Sequence, residues 1–340
     1  MIPKKVILDC DPGSDDAIAM MLAIKSEAID LIGVTTVNGN RIVPKTTENA
    51  LRVVQFMKAH VPVYRGCEEP IICNEIPTRK PGLPRVTLND CHGDFLPLPE
   101  AKITPEKEHA VFYLVKTLME SEGDIYVAAV GPLTNLAMAL RIEPKIAGKI
   151  RQLVIMGGGH AGANASPAAE FNFYADPEAA KIVMDSSIPK VILPLDATWR
   201  ASISEEECRK LASLGTPEAK VAAALVQKRI DNLKVNDVSE HNYALRHEYG
   251  TVASAMLYRY DNHMAPIHDA LVIAYLIDEK VLTELADANV DIDIAGGLCD
   301  GRMVADFHNT KKSRDPVTAK VALNADGRRF ASMLFDALGK

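Results

Sequence analysis

The chain has 340 residues, 48% of them hydrophobic and 24% charged, with a formal net charge of −7, the composition of an ordinary packed domain. That mild negative balance speaks against a nucleic-acid partner held by phosphate contacts, and without a run of 18 apolar residues no membrane span is expected. The basic start Met1-Ile2-Pro3-Lys4-Lys5 leads into an apolar run that Asp9 cuts short, which is no signal peptide. The six cysteines, at 10, 67, 73, 91, 208 and 299, form neither a metal pattern nor a disulfide framework, so reduced thiols in a cytoplasmic protein are expected.

A first strand over residues 6–9 runs into Asp9-Cys10-Asp11-Pro12-Gly13-Ser14-Asp15-Asp16. Strand alternation points Asp9 and Asp11 to one side. Pro12-Gly13 then breaks the strand, and Ala17 to Ala23 read as a helix that opens at the aspartates. A helix start favours one anion, but packed like charges raise one another's pKa. A hard cation offsets that repulsion, and an all-oxygen ligand set favours calcium or magnesium. The bland alternative is an N-cap aspartate with solvated neighbours, a weaker account of four Asp in eight residues.

Further strands are expected at 30–37, 61–64, 124–130, 152–156 and 190–193, alternating with helices at 46–59, 106–120, 133–140 and 177–185. This alternation predicts an α/β, doubly wound, mostly parallel central sheet with helices on both faces. An extra helical region follows over 203–277, then strands at 290–294, 302–307 and 319–323 and a terminal helix over 328–338. No repeat or linker interrupts the chain, so one domain over 1–340 is expected. Polar clusters follow the strands, where such folds bind ligands.

Two segments read as lids, 65–99 and 228–263, long stretches with little periodicity. His92-Gly93-Asp94 could face a ligand or be a surface turn. Residues 157–162 satisfy G-x-G-x-x-G behind a strand, but Ala163-Asn164-Ala165-Ser166-Pro167 does not open the helix that a dinucleotide site needs. An NAD-dependent oxidoreductase is therefore disfavoured, and the glycines suit close backbone approach to a small ligand. Asp176-Pro177 starts a helix as cap and first position, which leaves Glu170 and Asn172 to hydrogen-bond hydroxyls. His268-Asp269 opens an apolar helix over 270–277, either as a simple cap or as a cation ligand beside a general acid. A haloacid-dehalogenase-type phosphatase, suggested by Asp9-x-Asp11, wants a different pattern after its second Asp.

The ordered set D-C-D-P-G-S-D-D at 9–16, T-T-V-N-G-N at 35–40, V-G-P-L-T-N at 130–135, M-G-G-G at 156–159, A-E-F-N-F-Y-A-D-P-E-A-A at 169–180 and I-H-D-A at 267–270 resembles the inosine-uridine preferring nucleoside hydrolase family. The resemblance runs from residue 4 to about 336 and is weakest over 203–266. It implies hydrolysis of a ribonucleoside, the small-molecule partner, to free base and ribose. By matched position, Asp11, Asp16 and Asp269 would hold a Ca²⁺ ion through carboxylates, and Val130 through its carbonyl. Asp15 would take the proton of the attacking water, and His268 would protonate the leaving base. Asn40, Asn164, Glu170 and Asn172 match ribose-binding positions, with Met156 lining the sugar pocket. The base-contacting helix has no secure counterpart; Tyr258, Arg259 or Tyr260 are candidates beside His92. Trp199 matches no stacking position of purine-specific relatives, which favours a pyrimidine or broad preference. The resemblance also implies a homodimer or homotetramer. The alternatives are a calcium-dependent nucleoside or sugar binder without turnover and a hydrolase of a non-standard ribosyl substrate.

Overall fold

The computed structural model describes residues 2–72, 92–235, 263–308 and 319–340. Six strands come first: β1 (Lys4–Cys10), β2 (Ile29–Thr36), β3 (Val63–Arg65), β4 (Ile125–Ala129), β5 (Ile150–Met156) and β6 (Lys190–Leu193). A short antiparallel pair follows, β7 (Ser202–Ser204) with β8 (Met264–Pro266). The chain closes with β9 (Leu282–Ile292), β10 (Met303–Asp306) and β11 (Ala319–Ala325). Nine strands form one sheet in the order β10-β9-β11-β6-β5-β4-β1-β2-β3. Pairing is parallel from β3 across to β11, and antiparallel only where β9 meets β11 and β10. From β1 the strand order runs outward both ways, to β2 on one side and β4 on the other, which is the switch point where such sheets bind ligands.

Burial on both faces explains the apolar runs. In β1, Val6, Leu8 and Cys10 face one core and Ile7 the other. The first core is covered by α1 (Ser14–Lys25) and α2 (Val43–Phe56), the second by α3 (Ala110–Glu120) and α4 (Thr134–Ile142). Next come the short α5 (Phe171–Ala175), α6 (Pro177–Met184) on the second face, and α7 (Leu195–Thr198). The remaining helices, α8 (Glu205–Ser213), α9 (Pro217–Val235), α10 (His268–Ile277) and α11 (Gly327–Leu338), thicken the first face. Every residue of α1 from Ser14 to Ala23 is buried, as is α10 from His268 to Leu276, and the two helices pack together. Apolar side chains all round each helix are what such a buried position requires.

The expected doubly wound sheet is present, with four local differences. The helix placed at 106–120 starts at Ala110, because Glu106 bridges to Tyr64 beside β3 and His109 caps the helix by accepting from Val111 N–H. The strand placed at 290–294 is the end of the longer β9, whose Glu284 and Asp287 are exposed and break the apolar signal. The region 203–277 is interrupted by the β7–β8 pair, which ties Ser202 to Pro266 and so brings α10 back beside α7. Of the two lid candidates, residues 73–91 and 236–262 lie outside the described residues, and 228–235 complete α9.

Asp176 caps α6 as expected, and its carboxylate also accepts from Thr134 Oγ1 at 2.7 Å and from Ile71 N–H at 3.0 Å. One side chain thus ties three segments together on the second face. Asp176→Ala is expected to cost roughly 1–3 kcal/mol in urea unfolding, from the lost cap and two stranded donors. Turnover of the folded variant should change by less than a few-fold.

Candidate active site

β1 ends by delivering Asp11 to the switch point, and α1 opens three residues later with Ser14, Asp15 and Asp16. Asp11 Oδ2 accepts from Asn40 N–H at 2.5 Å, while Asn40 Nδ2 donates to the Asp11 carbonyl at 3.1 Å. The carboxylate sits between two glycines. A Cβ on Gly39 would stand 2.1 Å from Asp11 Oδ2, and one on Gly131 would stand 2.8 Å from Oδ1. Asp16 turns back to the helix start, accepting from Gly13 N–H at 2.9 Å and Asp11 N–H at 3.2 Å. Asp269, second residue of α10, completes the group because α10 lies against α1. Oxygens of Asp15, Asp16 and Asp269 lie within 4.8 Å of one another.

Asp9 does not join them. Its Oδ1 accepts from Thr35 Oγ1 at 2.6 Å and Asn135 Nδ2 at 2.8 Å. The expected shared side of Asp9 and Asp11 fails because the regular strand ends at Cys10, before Asp11.

Electrostatics distinguish the carboxylates. Burial, reinforced by neighbouring carboxylates, pushes Asp11 and Asp269 well above the usual range and Asp16 up to about 6. Burial is the strongest single influence on Asp15 and raises it, but the Arg229 guanidinium, the largest opposing one, together with the nearby histidines and a backbone N–H, holds this carboxyl below its ordinary value. Arg229 reaches in from α9, and its Nη1 donates to Asp15 Oδ1 and Ser14 Oγ, each at 3.0 Å. A set of buried oxygens carrying more negative charge than the one arginine offsets suits a hard divalent cation.

His92 stands where a ligand-facing residue was expected. Its Nδ1 accepts from Ser14 N–H at 3.0 Å, so that nitrogen carries no proton and the ring is neutral beside Asp15, 3.8 Å away. A Cβ on Gly13 would come within 2.1 Å of this nitrogen, so glycine is what admits the ring. His268 opens α10 with Nδ1 2.8 Å from Thr198 Oγ1 and its ring edge-on to Trp199, centroids 5.3 Å apart. Burial, aided by Arg229, lowers its pKa to about 4, so the imidazole is neutral at physiological pH.

The expected sugar-binding residues are only partly available. Glu170 caps α5, with Oε1 accepting from Asn172 N–H and Oε2 from Phe173 N–H and from Gly158 N–H at 2.8 Å, which leaves one acceptor position on Oε1. Asn172 spends Nδ2 on the Val130 carbonyl at 2.9 Å and the Met156 carbonyl at 3.1 Å, which leaves its Oδ1. Glu170 is drawn in because the first N–H groups of α5 have no helical partner, and Asn172 because the carbonyls at the ends of β4 and β5 need a donor. Val130 and Met156 lie side by side at the ends of β4 and β5, joined through Asn172. Asn164 is exposed and accepts from Phe171 N–H at 2.9 Å, a loop cap. No helix follows the glycine loop before Phe171, as a nucleotide loop would need. Tyr258, with Arg259 and Tyr260, lies outside the described residues.

Sequence reasoning missed Arg229 and Thr198, and weighed Trp199 only as a stacking residue. Arg229 carried a readable signal: it occupies the apolar stripe of α9 with Ala222, Leu225, Val226 and Ile230, all buried. A charge on a core-facing stripe needs a buried partner.

The profile of the inosine-uridine preferring nucleoside hydrolases matches residues 6–332. A pyrimidine-specific ribonucleoside hydrolase RihB of Shigella flexneri serotype 5b (strain 8401) is 37% identical over 333 residues, covering 96% of this chain and 94% of its own. The protein of the same name from Escherichia coli O157:H7 is 36% identical over 337 residues, covering 97% and 95%. Among solved structures, a plant nucleoside hydrolase superimposes with TM-score 0.81 at 29% identity over 99% of each chain. A purine-preferring ribonucleoside hydrolase from Gardnerella vaginalis gives 0.82 at 25% identity, covering 99% and 98%.

Raised carboxylate pKa values fix how the metal-free protein responds to pH. Stability from a group whose folded pKa lies above its unfolded value is complete below the unfolded value, 3.8 for Asp, and is lost as pH rises through the folded one, about 6 for Asp16. Chelator-treated protein is therefore expected to melt lower at pH 7 than at pH 5. Calcium at a hundredfold over its Kd should restore roughly 2.7 kcal/mol. Melts with and without chelator at both pH values check this; no effect of chelator at pH 7 contradicts it.

Proposed function

The chain belongs to the inosine-uridine preferring nucleoside hydrolase family and is an N-ribosyl hydrolase, and from that premise we propose that it is a calcium-dependent enzyme acting by preference on pyrimidine ribonucleosides. The observation that carries the metal is the meeting of Asp15 and Asp16 with Asp269, buried carboxylates from distant parts of the chain, with the buried Asp11 near enough to push the Asp269 carboxyl up. Asp11, Asp16, Asp269 and the Val130 carbonyl are the proposed ligands. An ion held there supplies fixed positive charge that positions a water and the ribose 2′- and 3′-hydroxyls.

The side chains carry the remaining steps. As the glycosidic bond breaks, positive charge builds on the sugar, and the buried carboxylates stabilise it in place. Asp15 takes the proton of the attacking water on a carboxylate oxygen; its depressed pKa keeps it ionised and ready. His268 has Nδ1 against Thr198 Oγ1, so Nε2 is the nitrogen left for the departing base. A neutral imidazole protonated at Nε2 donates a hydrogen bond there, a milder role than full proton transfer from an imidazolium. Asn40 orders Asp11 through its backbone and is proposed to meet the ribose along with Met156 and Asn172 Oδ1; Glu170 and Asn164 shape that wall by capping α5.

Pyrimidine preference is supported by identity: 37% and 36% with relatives named pyrimidine-specific, against 25% with one named purine-preferring. A cytoplasmic site of action fits Cys10, Cys67, Cys208 and Cys299 all being free, and no described helix is long and apolar enough to cross a membrane. One domain over 1–340 and assembly into two or four copies complete the proposal, the latter checked by light scattering.

Ribose release from uridine, cytidine, inosine and guanosine, with calcium, tests the reading. kcat/KM for a pyrimidine nucleoside is expected at least tenfold above inosine; equal values remove the preference, and binding without release makes the protein a binder. Asp15→Asn should keep cation binding and lose roughly 10²–10⁴ in kcat. Asp11→Ala should lose the cation, read by calorimetry.

A further inference from the structure

Three carboxylates, not two, converge closely enough to share one ion: Asp15, Asp16 and Asp269. Yet the proposed chemistry requires Asp15 to stay off the ion, because a carboxylate bound to a cation is a poor proton acceptor. Nothing in chain position separates Asp15 from Asp16, since they are neighbours in the first turn of α1. What separates them is their partners. Asp16 is held by the N–H groups of Asp11 and Gly13, whereas Asp15 is held by a full positive charge.

We propose that Arg229 is a positioning residue that withholds Asp15 from the metal and so keeps it available as the base, an inference that rests on the reading of Asp15 given above. The guanidinium lies 9% exposed and the Asp15 side chain 7%, so the pair is shielded from solvent and competes with an incoming cation for Asp15 Oδ1. One nitrogen, Nη1, contacts both Asp15 Oδ1 and Ser14 Oγ, which fixes the direction from which the charge approaches. His92 Nδ1, which accepts from Ser14 N–H, lies 3.8 Å from the same Asp15 Oδ1. A guanidinium is always charged and planar, which lysine at the same place reproduces only in charge. Its fixed positive charge also repels the cation, so the arginine weakens metal binding as the condition for keeping the base.

The test uses the full-length enzyme and Arg229→Gln, with Tb³⁺ as a luminescent probe alongside calcium calorimetry. Luminescence lifetimes in H₂O and D₂O count the waters on the bound ion. Arg229→Gln is expected to bind calcium at least tenfold more tightly and to carry about one water fewer than wild type. Its kcat should fall at least a hundredfold with KM changed by less than threefold. Unchanged or weaker cation affinity with an unchanged water count overturns the inference and leaves Arg229 a structural residue. Where Arg229→Gln does not fold, Arg229→Lys decides the matter. Restored charge without the planar contact should keep the wild-type water count and at least a tenth of kcat; a lost water with intact kcat overturns the proposal. The underlying assignment is judged apart, by Asp15→Asn alone: if that variant turns over normally, the base reading fails whatever Arg229 does.

Discussion

The constraint on which this structure depends is the burial of four carboxylates in one place. Two unit charges no more than 4.8 Å apart repel by at least about 3 kcal/mol at an effective dielectric near 20, and each carboxylate also loses its water. Arg229 offsets one charge and backbone N–H groups of the helix start offset part of another. The rest is left as electrostatic strain that protonation or a cation relieves. The same strain is what a developing positive charge on a sugar encounters, so the cost of folding and the source of catalysis are one quantity. Removing it by neutral substitution would stabilise the empty fold and disarm the site.

Architecture turns that constraint into geometry. The switch point between β1 and β4 opens a crevice, and α1 begins inside it, so Asp15 and Asp16 arrive with the positive end of a helix. α10, packed along α1, brings a second helix start carrying His268 and Asp269 to the same crevice. Glycines at 39 and 131 let the β2 and β4 loops close on Asp11, where a Cβ at either would strike the carboxylate. Helix starts therefore hold Asp15, Asp16 and Asp269, while Asn40 holds Asp11 in the turn between β1 and α1.

Strand and helix alternation was legible because both faces of a parallel sheet demand apolar runs of the right length. β1, β5 and β6 fell within a residue or two of expectation for that reason. β9 was not, since its exposed Glu284 and Asp287 erase the signal at its first half. A carboxylate cluster was expected from density alone, four Asp in eight residues of which Asp9 stays apart, while Asp269 remained either a cap or a cation ligand until the resemblance singled it out. That Glu170 also caps α5 and that Asn172 gives its Nδ2 to two strand-end carbonyls was not legible, because sequence does not reveal which backbone groups lack partners. Arg229 was missed although its place on an apolar stripe marks it as a buried charge. Trp199, set aside for want of a stacking position, proves to touch His268 edge-on.

The pairing of α1 with α10 also sets an order of events. During synthesis the first three aspartates leave the ribosome some 250 residues ahead of Asp269, and no nascent fragment short of α10 possesses the complete acidic group. The full acidic group therefore waits on the docking of α10 against α1, and until then the first three carboxylates stand without their last partner.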